Sequence, residues 1–459
     1  MKNKKYRKET DSMGSISVPE DSFYGAQTQR AINNFPISNL VFDKHFIYAI
    51  VLIKRSAAIV NNQLKLLPKN KKDAIVNASN SILKGDFDNQ FPIDIFQTGS
   101  GTSTNMNVNE VIANIASKKS KLKIHPNDDV NMGQSSNDTI PTAINVSVSL
   151  QIKNYLLPNL NELIKSFKQK EKDFNSILKL GRTHLQDATP LTLGQEFSGY
   201  TELLNKSKKR IIGSQNNLCR LAQGGTAVGT GINTDKKFGK LIALEISKAT
   251  NVNFKETPNH FEAQSAQDCS VEISGNLKAL AVSLSKIAND IRWLGSGPRS
   301  GLGELIIPSV QPGSSIMPGK VNPVICESML QVCSQVIAND LSITLGGLGS
   351  IFELNLMLPL IAHNLLFSIN ILSNSVKVFK EKLIDNLKAD IEKCNNYIEG
   401  SLAMCTSLAP IIGYDKASEL AYEAFKTGKT IREIVLEKKI LDKKVIDKIL
   451  DPSSMINSK

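Results

Sequence analysis

A mainly α fold, a bundle of long helices flanked by smaller N- and C-terminal domains, is what this 459-residue sequence predicts, and three observations carry the prediction. The stretch SVEISGNLKALAVSLSKIANDIRWL sets Ile273, Leu277, Leu280, Leu284, Ile287, Ile291 and Leu294 at alternating steps of four and three, a heptad-like seam. A second stretch, TAINVSVSLQIKNYLLPNLNELIKSF at 142–167, is apolar nearly all round, the pattern of a helix covered on every side. A third, VICESMLQVCSQVIANDLSITLGG, places Ile325, Met329, Val332 and Val336 on one stripe and stops at Gly346 and Gly347. No strands alternate with these helices, so a sheet wound with crossover helices is not predicted.

Taken in order, residues 1–137 mix short helices with polar loops and form the N-terminal domain. Residues 138–388 form the central bundle. Its first helix is interrupted at Pro158, which removes a backbone donor and crowds the preceding turn. The seam helix, at 1.5 Å per residue, runs about 38 Å. Ala279, Ala281, Ser283, Ser285 and Ala288 on its other faces admit close neighbours on several sides. From 389 to 459 the segments become short and charged, ending TGKTIREIVLEKKILDKKVIDKILDPSSM, a small helical domain.

Composition removes several function classes. The chain is 41% hydrophobic and 21% charged, and it lacks a run of about 18 apolar residues, so no membrane span is expected. The N-terminus MKNKKYRKETDSMG is basic without an apolar core, and Glu9 and Asp11 speak against a mitochondrial presequence; the expected address is cytoplasmic. Six cysteines lie scattered with no CxxC pair and no His at ligand spacing, so neither a metal nor another cofactor is expected. The net charge of +12 comes largely from dispersed Lys clusters without interleaved aromatics, which describes a solvated surface and not a nucleic-acid reader. Such a field still steers small anions.

Four polar loops precede helical patterns: TGSGTSTNMN (98–107), HPNDDVNMGQSSNDTIP (125–141), GRTHLQDATP (181–190) and GSSIMPGKVNP (313–323). Asn322 before Pro323 reads as an N-cap followed by Pro at the first helical position. Asn137 or Asp138 reads as the cap of the helix holding Pro141. Helix N-termini carry unpaired N–H groups and the positive end of the dipole, so convergent ones hold a molecule with several carboxylates. Singly, each loop has a plainer reading: TGSGT as a flexible turn, HPNDD as an Asx turn, His184 as a satisfied core histidine. Together, Ser-rich loops with one His, one Lys and Asn side chains fit a site that binds a small polyanion and moves protons. There is no GxSxG motif, and none of the four polar loops holds an SxxK, so a nucleophilic serine hydrolase is not supported.

GSSIMPGKVNP resembles the signature loop of the fumarase/aspartase superfamily. The resemblance runs from GAQTQR (25–30) through TGSGTSTNMNVNEVIAN, HPNDDVN, QSSND, GRTHLQDATPLTLGQEF and GGTAVGTGIN to IGYDKA (412–417), in the family's order. Within it the match is to class II, metal-free fumarases; aspartate ammonia-lyase is the alternative, which usually has GRTQ and MPAKVNP where this chain has GRTH and MPGKVNP. Ile412 and Ile351 depart from the family's usual His and Asn.

The resemblance implies reversible anti hydration of fumarate to L-malate in the tricarboxylic acid cycle, in a homotetramer whose sites each draw on three subunits. It implies Ser314 as the base for the C3 proton, with the loop N–H groups and Lys320 stabilising its oxyanion. Lys320 and Asn322 would hold a carboxylate with Thr102, Ser135, Ser136 and Asn137, and Ser100 and Thr183 would line the pocket. His184, oriented by Glu327, would position the water. His125, Asn127 and Asp128 resemble an accessory second dicarboxylate site.

Overall fold

The computed structural model describes residues 5–456. An antiparallel hairpin comes first, β1 (Tyr6–Asp11) with β2 (Gly14–Pro19), in a register from Tyr6↔Pro19 to Asp11↔Gly14. Helices α1 (Ala26–Asn34), α2 (Lys44–Gln63), α3 (Lys69–Leu83), α4 (Thr102–Ser120), α5 (Ser136–Gln151) and α6 (Leu157–Asp173) follow. A second hairpin, β3 (Leu178–Thr183) with β4 (Gln186–Thr192), leads into α7 (Leu193–Leu218), α8 (Phe238–Thr250) and α9 (His260–Ser265). Three long helices come next: α10 (Asp268–Leu294), α11 (Val324–Gly347) and α12 (Leu358–Lys382). The chain closes with short helices α13 (Ile391–Glu399), α14 (Ala409–Ile412), α15 (Tyr414–Thr427), α16 (Ile431–Glu437) and α17 (Lys443–Ile449). The fold is mainly helical, as predicted. Among the described residues no helix is long and apolar enough to cross a membrane.

Every residue of the heptad-like seam in α10 is buried, from Ile273 to Leu294. In α11 the buried stripe is Cys326, Met329, Cys333 and Val336, while Ile325 and Val332 are only half-buried. The two thiols, small and apolar in a dry core, take the centre of the face that the larger aliphatics were expected to fill. The all-round apolar segment divides as expected. After α5, a π-helical turn at Ile152–Leu156 lets Leu157 N–H donate to Ile152 O, five residues back, and Pro158 then falls in the first turn of α6. Widening the turn removes the clash that Pro would otherwise impose.

The N-terminal region differs from its prediction: α2 has 20 residues and α4 has 19, neither of them short. The reason is visible in α2, KHFIYAIVLIKRSAAIVNNQ, whose side chains are buried on several faces at once, so that no single stripe advertises its length.

By contacts the chain divides into two compact units, which interleave along the sequence and so cut it differently from boundaries drawn on composition. One takes the chain up to Pro158 with Lys208–Ala281 and Ser334–Ser373; the other takes Asn159–Ser207, Val282–Cys333 and the chain from Asn374. In the first, α2 packs on α3, α4, α5 and α8. In the second, Leu180 of β3 joins Ile398, Met404, Leu408, Leu420, Ile434 and Leu450 in one apolar core, with Ile412 packed partly buried against it. Ile351 is exposed in a tight two-residue strand pairing.

Candidate active site

In the first unit, two helix N-termini meet. Thr102 opens α4 and Ser136 opens α5. Their hydroxyls are hydrogen-bonded, Thr102 Oγ1 to Ser136 Oγ at 2.7 Å, and Ser100 Oγ extends the chain to Thr102 Oγ1 at 2.7 Å. Gly99 lets the loop before α4 lie against the backbone at Leu356, where a Cβ would come within 2.0 Å of the carbonyl oxygen and where Leu358 N donates to Gly99 O. The cap of α5 is Ser135, not Asn137 or Asp138: Ser135 and Asp138 form a reciprocal capping box. Asn137 instead donates from Nδ2 to Ala227 O at 2.7 Å. Ser100, Thr102, Ser135, Ser136 and Asn137 thus gather hydroxyls, an amide and two dipole ends, a socket for a carboxylate.

The residues of the second anion motif surround a π-helical turn, Pro126–Val130. Asp128 N–H donates to His125 Nδ1 at 3.1 Å, and Asp129 accepts from His125 N and from Lys71 Nζ. Asn127 lies in the same turn.

In the second unit, the 313–323 loop is closed by its own backbone. Gly313 N donates to Lys320 O at 2.8 Å, Lys320 N to Met317 O at 3.3 Å, and Asn322 Nδ2 to Gly313 O at 2.7 Å. A Cβ at Gly313 would sit 2.5 Å from Lys320 O, so only glycine fits. Helix α11 begins at Val324, and Asn322 therefore ties the loop shut where a cap was expected. At the centre, Ser314 Oγ accepts two backbone donors, Met317 N at 3.0 Å and Ile316 N at 3.3 Å. Both donors favour the charged oxygen over the hydroxyl.

Lys320, Asn322 and Glu327 line one cavity of about 550 Å³ with Arg292 and Trp293. Lys320 and Ser314 share a neighbouring one of about 460 Å³. Thr183 and His184 occupy the tip of the β3–β4 hairpin, both exposed, with His184 in the left-handed region at φ 54°. His184 is no buried core histidine. Among the described residues it makes no hydrogen bond to Glu327, and the side chains of Lys320 and Glu327 make no hydrogen bond or ion pair; their hydrogen bonds run through the backbone, as from Glu327 N to Pro323 O. The hairpin is anchored beneath its tip, where Arg182 Nη1 donates to both oxygens of the fully buried Glu304 at 2.9 and 3.0 Å.

Several supporting groups escape sequence reasoning. Asp138 is fully buried and accepts from Ser135 N, Gly224 N and Thr226 N, tying α5 to the Gly-rich 224–226 turn. Burial pushes its carboxyl up to about 6 against those donors and Lys54. Lys54 of α2 is also fully buried, its ammonium pushed down to about 7 by burial and held up by Asp138. A lone Lys inside IVLIKRSAAIV is the one signal the sequence offers. Arg292 gave none; its Nε is buried without a partner.

The family described as Lyase matches residues 14–338, and that described as Fumarase C C-terminus matches 404–457. A class II fumarate hydratase of Helicobacter pylori is 48% identical over 460 residues, 99% of each chain. One of Bacillus cereus is 46% identical over 459 residues, again 99% of each. The crystal structure of a recombinant class II fumarase from Schistosoma mansoni superposes with a TM-score of 0.96 at 39% identity, covering 98% of this chain and 99% of that one.

Proposed function

This chain belongs to the class II fumarate hydratase family, and from that premise we infer how it carries out the reversible anti addition of water to fumarate that gives L-malate. Removing the C3 proton of malate places extra charge on the adjacent carboxylate, so the site must hold a dianionic aci-carboxylate in the transition state. Ser314 takes that proton. The observation that carries this reading is the pair of N–H groups, from Ile316 and Met317, aimed at Ser314 Oγ. They do for the serine oxyanion what an oxyanion hole does for a tetrahedral intermediate, each such donor supplying about 3 kcal/mol.

Lys320 and Asn322 hold the carboxylate that gains charge. Ser100, Thr102, Ser135, Ser136, Asn137 and Thr183 hold and orient the remainder of the diacid. His184, oriented by Glu327, places the water that enters or leaves at C2. His125, Asn127 and Asp128 form an accessory dicarboxylate site. Because the side chains of Lys320, Glu327 and His184 make no hydrogen bond or ion pair among the described residues, the reading assembles each site from three subunits of a homotetramer. Ile337, Leu341 and Leu345, exposed along α11 at steps of four, with Leu348 just past its end, supply an apolar stripe for that association. A place in the tricarboxylic acid cycle and a cytoplasmic address belong to the same reading.

The test is Ser314→Ala, followed at the absorbance of fumarate with malate and with fumarate as substrate. Turnover falls by about 10²–10⁴-fold, the contribution of a positioned base. Retention within a few-fold of the parent moves the base elsewhere, and turnover of aspartate in place of malate moves the chain to the ammonia-lyase branch.

A further inference from the structure

We propose that Lys54 is a positioning residue for dicarboxylate binding, its buried ammonium locking the 131–134 loop that presents Ser135, Ser136 and Asn137 to substrate. The inference rests on the hydratase reading above and names a group that touches no substrate atom.

Lys54 lies on α2 with no exposed surface. Its Nζ donates to Asn131 Oδ1 at 2.8 Å and to Gln134 Oε1 at 3.0 Å, and it forms no ion pair among the described residues. Asn131 Oδ1 is shared: Asn105 Nδ2 and Asn109 Nδ2 of α4 reach it at 3.3 and 3.2 Å. The same Asn131 donates from Nδ2 to Gln134 O at 3.0 Å, and Gln134 Nε2 turns back to Val130 O and Met132 O. One turn before Asn105 stands Thr102, and immediately after Gln134 stands Ser135. The ammonium therefore joins both helix N-termini of the socket, and Asn61, two turns along α2, adds a second clamp through Met132 O at 3.0 Å.

A carbonyl pair alone does not require a lysine there. Burying an ammonium among amide oxygens is unfavourable unless the charge is used, and Asp138, the carboxylate that opposes it, is itself buried and committed to three backbone donors. While Lys54 keeps its proton, at pH below about 7 in the absence of ligand, the arrangement provides a positive charge in low dielectric beneath a site that must accept a dianion, where its field is screened little and where a bound dianion in turn favours the protonated form.

Socket residues that hold substrate and transition state alike act on KM and not on kcat. A protein that merely unfolds more readily loses active molecules, so its apparent kcat falls while KM stands. The two roles are thereby separable. We would express the full chain with Lys54→Met, of similar length without charge or donor, and measure kcat and KM for malate together with the inhibition constant and calorimetric affinity of succinate. KM and both succinate constants rise about tenfold or more, while kcat stays within about threefold. Unchanged KM and succinate binding, or a loss confined to kcat, overturns the proposal. If Lys54→Met does not fold, Gln134→Ala decides: a matching rise in KM supports the role and an unchanged KM refutes it. Failure of the underlying reading shows separately, as a wild-type chain that does not hydrate fumarate, and succinate affinity in the variants still judges Lys54.

Discussion

Glu304→Gln isolates the buried charge network under the His184 hairpin. Glu304 has no exposed surface; both of its oxygens accept from Arg182 Nη1, and Lys179 Nζ lies 3.4 Å from Oε2 and 3.2 Å from Glu196 Oε2. Two cations thus share two carboxylates. Removing one carboxylate leaves Arg182 and the fully buried Lys179 with Glu196 alone, whose carboxyl burial already raises against the pull of Lys179. Uncompensated buried charge costs about 3–5 kcal/mol, against a total stability of about 5–15 kcal/mol. For a chain of 459 residues the loss corresponds to a drop in Tm of roughly 3–5 °C. Thermal and urea denaturation of Glu304→Gln, Arg182→Met and the double variant measure it. The double variant, which rebalances Lys179 against Glu196, loses less than the sum of the singles by at least about 1 kcal/mol. Turnover falls with the hairpin's order because His184 sits two residues beyond Arg182. A single variant that costs under about 1 kcal/mol, or strict additivity in the cycle, refutes the reasoning.

Two further outcomes follow from the same geometry. The Lys54 ammonium is held below its ordinary value, so between about pH 7 and 10.5 the unfolded chain carries a proton that the native chain lacks, and stability rises with pH by at most about 1.4 kcal/mol per unit. Below about 7 both states are protonated and the penalty is complete. Asp138, pushed up to about 6, acts oppositely and in a separate window, stability falling as pH rises from 3.8 to about 6. Urea midpoints at pH 7, 8.5 and 10 should diverge between wild type and Lys54→Met; parallel curves count against a buried ammonium. The shared-site reading predicts that a chain held monomeric, for example by charged substitutions at Leu341 and Leu345, is folded by circular dichroism yet inactive. Full turnover by a particle shown by light scattering to be monomeric defeats it.

Legibility tracked the range of the interaction. Short-range signals held: the step-of-four-and-three seam of α10 is buried throughout, and the turn widened just before Pro158. The cap expected for α5 was off by two or three residues from Ser135, and α11 opens at Val324, one residue later than expected, because several neighbouring polar residues compete for each terminus and only the closed hydrogen-bond pattern selects one. The polar loops announced the candidate site because Ser, His, Asn and Lys have no packing reason to cluster there. The partners of its supports were not legible. Glu304 lies 122 residues from Arg182, and Lys54 lies 77 from Asn131, distances at which no local pattern exists.

By itself the sequence determined helical character, the long bundle helices and the order of chemistry-bearing loops, since periodicity and turn residues act within a few positions along the chain. Only the tertiary structure decided which backbone donors aim at Ser314, that the starts of α4 and α5 join through Thr102 and Ser136, and that Lys54, Asp138 and Glu304 lose all contact with water. Burial and hydrogen-bond direction arise from segments distant in the chain, and no segment contains them alone.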